Sequence, residues 1–467
     1  MGQRDPHPDR EIAAIPAPLW RERGHGGGGR DARLALYPLG RMTFQPMSRL
    51  GLACFAVLLA VMGCSSSSSS SGASPASGGL VIGAVYPLSG PQSSGGHEEL
   101  TGVETALDLA QREGLFGGRK VTLQVESATT PNAAREAVDR LIDRYHVPAI
   151  IGTYGSTLAE AAAGRADERH VVYWETGAVA DSVSVGRPYV FQTVATGSTL
   201  GRAAADFTSD VLLPASRLLP REARVVVAAV DDVYGRAVAN GEVARAAEHG
   251  IKVVDRIDYD PRRLDADALA LRLAGDRPDY LWDVSYIDDG IAIWRAVLAH
   301  GVHLRAAVGT SSAFCMPDFG SRMGAQAVGV YAADKPDESD VNPAVLTPAA
   351  RELLTSASSV YAHRAGGQKM SIPAMAGFVG GWALFHGVLP AVGGAVSPES
   401  LRDRAYNLAE ARYSSINGGG IQFGSPGTAA AGQNLLAPAV VGQWQAVNIM
   451  RVVYPAPFAE AQPILGS

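Results

Sequence analysis

The chain has 467 residues, 47% hydrophobic and 18% charged, with a formal net charge of -6. No Lys/Arg cluster interleaved with aromatics appears in the body of the chain, so nucleic acid is not an expected partner. Of three cysteines, Cys54 and Cys64 fall in an N-terminal apolar stretch and only Cys315 in the body, so neither a disulfide framework nor a thiolate metal site can be built, and no cofactor is expected.

Residues 1–41 are rich in Arg, Pro and Gly and read as a non-native or disordered extension. A signal peptide spans about 15–30 residues from its initiator, which places the start at Met42 or Met47. GHGGGGR has no Gly-Lys-Ser/Thr ending and no preceding strand, so it is not a phosphate loop. Leu50–Gly63, LGLACFAVLLAVMG, is uncharged and follows Arg49. It is shorter than the roughly 20 residues a membrane span needs and fits the apolar region of a secretory signal over 42–63. Too few apolar residues separate Cys54 from Arg49 for that cysteine to end such a region. Val61 to Cys64, VMGC, resembles the lipobox of bacterial lipoproteins, which implies acylation of Cys64 and attachment to the outer face of the cell membrane. The serines Ser65–Ser71 and the following GASPASGG lack hydrophobes and read as a flexible tether over 64–78.

From Leu80 onward, strand-like and helical patterns alternate. LVIGAVYPL reads as a strand and VETALDLAQREG as a helix. KVTLQVES is a second strand, followed by a helix in TPNAAREAVDRLIDRYH with Thr130 as N-cap and Pro131 in the first turn. PAIIGT, the helix STLAEAAAGRADERH and VVYWET continue the rhythm. After RPYVFQT the pattern restarts with helix TLGRAAADFTSDVL, strand ARVVVAAV, a helix from Tyr234 to His249, strand IKVVDRIDY, helix DADALALRLAG, strand YLWDVS and helix IDDGIAIWRAVLAHG. VGVYAA at Val328–Ala333 is a further strand. Helices opened by Thr347-Pro348 and Ser397-Pro398 lead to a β-rich tail with IQFG and APAVVGQWQAVN. Short apolar strands separated by helices indicate parallel sheets covered on both faces. The expected fold class is α/β, two doubly wound lobes around a central cleft with a crossover hinge; lobe 1 is expected over 79–197 plus 329–418 and lobe 2 over 198–328 plus 419–467.

Ser371 to Ser397 carries no formal charge and is long enough to span a membrane. Its glycines, Pro390 and His386, and the lack of a basic flank, favour a buried helix packed on a sheet.

In open parallel sheets ligands sit beyond the carboxyl ends of the strands. The segments there are PLSGPQSSGG, YGST, ETGAVAD, DDVYG, SYIDDG and TSSAF, rich in hydrogen-bonding side chains. IGTYGSTLAE lacks the second glycine of a nucleophile elbow, so Ser156 is better placed to open a helix whose amides attract an anion. Zinc-binding histidine spacing is absent, and no metal site is expected. Asp231-Asp232 and Asp288-Asp289 begin predicted helices, where carboxylates interact with the dipole; Ser285 and Asp288 have capping-box spacing.

LVIGAVYPLSGP, GRKVTLQVE, PAIIGTYGS, RPYVFQT, VDDVYGRA and GQNLLAPAVVGQWQ, in this order, resemble the type I periplasmic solute-binding proteins of the leucine/isoleucine/valine kind. The resemblance implies an extracytoplasmic, non-enzymatic receptor, a monomer, whose lobes close on a small solute and deliver it to an ABC permease with its ATPase. It places ligand-binding residues at Ser156 and Thr157, at Thr176, Gly177 and Ala178, at Tyr234 and Tyr286, and at Asp288 and Ser311. Where branched-chain amino acid binders hold the ligand ammonium with a glutamate, this chain has Thr310, Ser311 and Ser312. Gly95 stands where an aromatic is usual, and Trp174-Glu175 replaces a Ser-Pro pair. Either Glu175, Asp288 or Asp289 takes over the ammonium, or the solute has none. A sensor lipoprotein of the same fold, and more remotely a serine hydrolase using Ser156, are the alternatives.

Overall fold

Five short apolar runs pair in parallel in the order β2-β1-β3-β4-β5: β1 (Leu80–Tyr86), β2 (Val121–Ser127), β3 (Ala149–Ile151), β4 (Val172–Glu175) and β5 (Val190–Gln192). The computed structural model describes residues 79–339 and 341–465; the extension, signal peptide, lipobox Cys64 and tether lie outside them. One face of this sheet packs under α1 (Ser93–Arg112) and later helices, with Ile82, Tyr86, Trp174 and Phe191 in the core. The other packs under α2 (Pro131–Tyr145) and α3 (Ser156–Glu168), with Val85, Ile150 and Tyr173. Burial on both faces is why these strands read as continuous apolar runs. Thr130 caps α2, its hydroxyl accepting from the Ala133 amide at 3.2 Å.

The second lobe begins with α4 (Gly197–Phe207), which runs through a π-helical stretch into α5 (Leu213–Ser216). Its sheet takes β6 (Arg224–Val230), β7 (Lys252–Tyr259), β8 (Tyr280–Val284), β9 (Ala306–Thr310) and β10 (Tyr331–Asp334) in parallel, with α6 (Val233–His249), α7 (Ala266–Asp276), α8 (Ile287–Ala299) and α9 (Pro317–Met323) between them. The chain then returns to the first lobe for α10 (Pro348–Arg364), α11 (Ile372–Trp382), α12 (Pro398–Tyr406) and the pair β11 (Ala409–Glu410) and β12 (Ile421–Gln422). It ends with β13 (Val440–Ala446) and β14 (Ile449–Tyr454), added antiparallel beyond β10 to give the order β14-β13-β10-β9-β8-β6-β7.

Two stretches lie in the opposite lobe from the one expected. Tyr331–Asp334 pairs with β9 and so completes the second sheet. Residues 419–434 stay with the first lobe, because Phe423 packs edge-on against Trp174 and Phe191 and the Gln192 amide donates to the Gly432 carbonyl at 2.8 Å. The chain therefore crosses between lobes after β5, after β10 and before β13. The uncharged run 371–397 forms α11 and its continuation, a helix apolar enough to cross a membrane but mostly buried against α1. Gly102 and Gly377 let the two helices approach: a Cβ on Gly102 would lie 2.1 Å from the Ala374 carbonyl oxygen, and one on Gly377 2.0 Å from that of Glu99.

Candidate functional site

The carboxyl ends of the two sheets face one cleft, and it holds two small adjoining hollows with room for about 20 and about 10 Å³. Both are lined by Tyr154, Gly177, Ser311, Ser312 and Lys335; Ser156, Ala178, Tyr234 and Tyr286 complete the first, and Glu99, Asp334, Ile372 and Ala376 help complete the second. Tyr154 of the first lobe and Ser311 and Ser312 of the second line both hollows, so the two lobes meet there.

Ser156 opens α3 at the cleft, and its Oγ accepts from the Ala180 amide at 3.1 Å, leaving its proton for a ligand oxygen. Thr157 follows but does not line the hollows. Thr176 is buried behind them: its hydroxyl bonds the Tyr86 hydroxyl at 2.8 Å and donates to Glu99 Oε1 at 2.6 Å. Gly177 and Ala178 do line the cleft, yet both amides donate to Glu175 Oε1, at 2.8 and 2.7 Å, while Oε2 accepts from the Thr153 amide at 3.0 Å. Glu175 thus closes its own loop and is not a free counter-charge.

In the second lobe, the Tyr234 and Tyr286 ring centroids are 5.4 Å apart. The Tyr286 hydroxyl donates to Asp232 Oδ2 at 2.7 Å, and Asp232 caps α6 through Oδ1 and the Gly235 amide at 2.9 Å. Tyr234 is 2% exposed and donates to the Thr310 and Ser311 carbonyls at 2.5 and 3.0 Å. It is a core residue whose edge reaches the cleft, so Tyr234→Ala is expected to cost about 3–5 kcal/mol of stability. Ser311 and Ser312 hold left-handed φ of 40° and 51°, a turn that carries both toward the cleft.

Asp288 is not at the cleft: it is exposed and pairs with Arg322 at 2.7 Å. The helix it belongs to starts one residue later than the capping-box spacing implies, with Tyr286 at the N-cap, and the Ser285 hydroxyl turns back to Asp283. Asp289 lies on the same turn, outside the residues that line the hollows.

Glu99 and Lys335 carried no sequence signal, and Tyr154, within the strand-end segment YGST, was not singled out there. The Tyr154 ring stands against Gly95, where an added Cβ would meet it at 2.4 Å, so the aromatic missing from the first loop is supplied by the third strand's loop. Lys335 follows β10 and pairs with Asp334 at 3.2 Å, both nearly buried; the Cys315 thiol also donates to Asp334, at 2.9 Å.

Buried acids recur in both lobes, and burial raises the carboxyls of Glu99, Glu175, Glu242 and Asp283. Asp283 is pushed up to about 7, with the Ser285 hydroxyl drawing it back. A carboxyl that holds its proton more tightly when folded stabilises the fold at low pH, and that contribution fades as pH rises from its ordinary value to the raised one. At about 1.4 kcal/mol per pKa unit the loss is on the order of 4 kcal/mol. Thermal unfolding should therefore occur at lower temperature at pH 8 than at pH 5, and Asp283→Asn should flatten that slope. An unchanged slope would remove Asp283 from this role.

Two doubly wound lobes closing over a polar cleft define a cleft-binding receptor fold. The chain belongs to the periplasmic binding protein family, whose model matches residues 79–446. It is 27% identical over 375 residues, 80% of this chain and 90% of the relative, to Leu/Ile/Val-binding protein homolog 8 of Brucella abortus. Its fold resembles a leucine-binding protein from Thermotoga maritima (TM-score 0.66, 20% identity, 80% of this chain and 97% of that one). It also resembles an ABC transporter solute-binding protein from R. palustris in complex with benzoate (0.66, 19%, 84% and 99%) and a branched-chain amino acid transporter protein from Streptococcus pneumoniae in complex with isoleucine (0.64, 18%, 81% and 100%).

Proposed function

We propose that this chain is the extracytoplasmic, lipid-anchored receptor of an ABC permease, capturing a small carboxylate-bearing or polar, amino-acid-like solute by lobe closure. The observation that carries the reading is convergence: Ser156, Gly177 and Ala178 of the first lobe and Tyr234, Tyr286 and Ser311 of the second line one hollow. A carboxylate seated there meets the Ser156 hydroxyl and the amino end of α3, which favours negative charge, beside the rings of two tyrosines whose hydroxyls are held by Asp232 and by the Thr310 and Ser311 carbonyls. Isoleucine and benzoate, held by two proteins of similar fold, share that carboxylate. A solute touching both lobes favours the closed state over the open one. Residues 64–78 would tether the receptor to lipid at Cys64 and let it reach the permease, which passes the solute on with energy from its ATPase; no covalent step is involved.

The test is a thermal-shift panel of amino acids, aliphatic and aromatic carboxylates, amides and sugars on the purified protein. A solute at a hundred times its Kd stabilises by about 2.7 kcal/mol. Stabilisation by an amino acid or a carboxylate supports the reading; silence across the panel overturns it.

A further inference from the structure

We propose that Glu99 is the residue that reads the solute's charge, its Oε2 receiving an ammonium group in the hollow it lines with Lys335, Ser312 and Ala376. The inference rests on the reading that this cleft is the solute site. Glu99 lies on α1 and is 0% exposed. Its Oε1 is held by the Thr176 hydroxyl, which is itself bonded by the Tyr86 hydroxyl, so the carboxyl group is fixed. Oε2 is buried without a hydrogen-bond partner among the described residues, a costly state for a carboxylate oxygen unless a donor arrives. Gly177 packs against it, and only a glycine permits this approach: a Cβ there would lie 1.7 Å from Oε2.

The other acids weighed for this task are engaged or elsewhere. Three backbone amides occupy Glu175, Arg322 holds Asp288 at the surface, and Asp289 lies outside the hollows. The charged groups facing Glu99 are Lys335, already paired with Asp334, and Glu175 from the end of β4; α11 contributes Ile372, Pro373 and Ala376 to the wall. A solute ammonium therefore finds one unmatched acid. Burial also raises the Glu99 carboxyl to about 8, against the pull of Thr176 and Lys335. An ammonium needs that carboxyl ionised, so its binding at pH 7 releases a proton, and its affinity climbs as pH rises toward 8.

The experiment sets each standard amino acid beside the carboxylic acid that lacks its amino group, by titration calorimetry with wild type and Glu99→Gln. Any binding pair is repeated at pH 7 in two buffers of different ionisation enthalpy. The expected result is that the amino member binds at least tenfold tighter than its acid, that Glu99→Gln removes this preference, and that wild type releases a proton on binding. Glutamine is close in shape and keeps an oxygen for Thr176, and the proton count needs no variant. Equal or tighter binding of the deaminated acid, or an amine preference and proton release unchanged in Glu99→Gln, overturns the role of Glu99 while leaving the cleft as the solute site. Silence of both members of every pair overturns this inference, and the solute-site reading falls with it when the wider thermal-shift panel is silent too.

Discussion

Replacing Gly377 by alanine should destabilise the protein by about 3 kcal/mol and weaken solute binding with it. The new Cβ would lie 2.0 Å from the Glu99 carbonyl oxygen, an approach to backbone that no rotamer change relieves. The helices α1 and α11 must separate, and overpacking of this kind typically costs about 1–3 kcal/mol, with rigid sites at the upper end. The same shift moves Glu99 on one helix and Ile372 and Ala376 on the other, all on the wall of the cleft. Gly275 in α7 is the control, since nothing lies within 4 Å of its added Cβ; Gly275→Ala should gain up to about 1 kcal/mol from helix propensity. Chemical denaturation of the two variants reads both signs.

Asn434→Ala is expected to cost about 4 kcal/mol and to loosen the hinge. Asn434 is 7% exposed and uses its whole amide: Nδ2 donates to the Thr193 and Gly420 carbonyls, both at 2.9 Å, and Oδ1 accepts from the Gln422 and Leu436 amides, both at 3.0 Å. Alanine strands four backbone groups, each net bond being worth about 1 kcal/mol and more where the orphan stays buried. Thr193 begins the first crossover and Leu436 leads into the third, so one side chain fixes the relation of two hinge strands. Denaturation and solute titration of Asn434→Ala should both register the loss; a variant as stable as wild type would mean that water replaces the amide.

The two-lobed α/β fold was legible because both sheets are buried on both faces, so β1 and β6 read as nearly continuous apolar runs and several helices carry their caps in sequence, as Thr130 and Thr347 do. The lobe boundaries were less so. Tyr331–Asp334 and Phe423 are ordinary apolar residues, and only pairing with β9 and stacking on Trp174 decide which sheet they join. In the site, chain order alone brings Ser156, Gly177, Tyr286 and Ser311, all at the carboxyl ends of strands, to the lining of one hollow. Asp288 was misplaced because a helix start one residue later rotates it to the surface. Glu99 carries no local signal: it sits within a helix of mixed composition, and its importance comes from Gly177 and Thr176, some 77 residues away. Tyr154 likewise matters only because Gly95 leaves room for its ring.

The measurement that tests the central claim most directly is titration calorimetry of the most stabilising solute against wild type and Tyr286→Ala. Tyr286 lines the cleft and is only half-buried, and Asp232 keeps its cap on α6 without it, so the variant should stay folded. Truncating a tyrosine at the centre of a contact costs about 2 kcal/mol, so affinity should fall by at least tenfold. Affinity equal to wild type in a folded Tyr286→Ala protein would mean that the solute binds elsewhere and that this cleft is not the site.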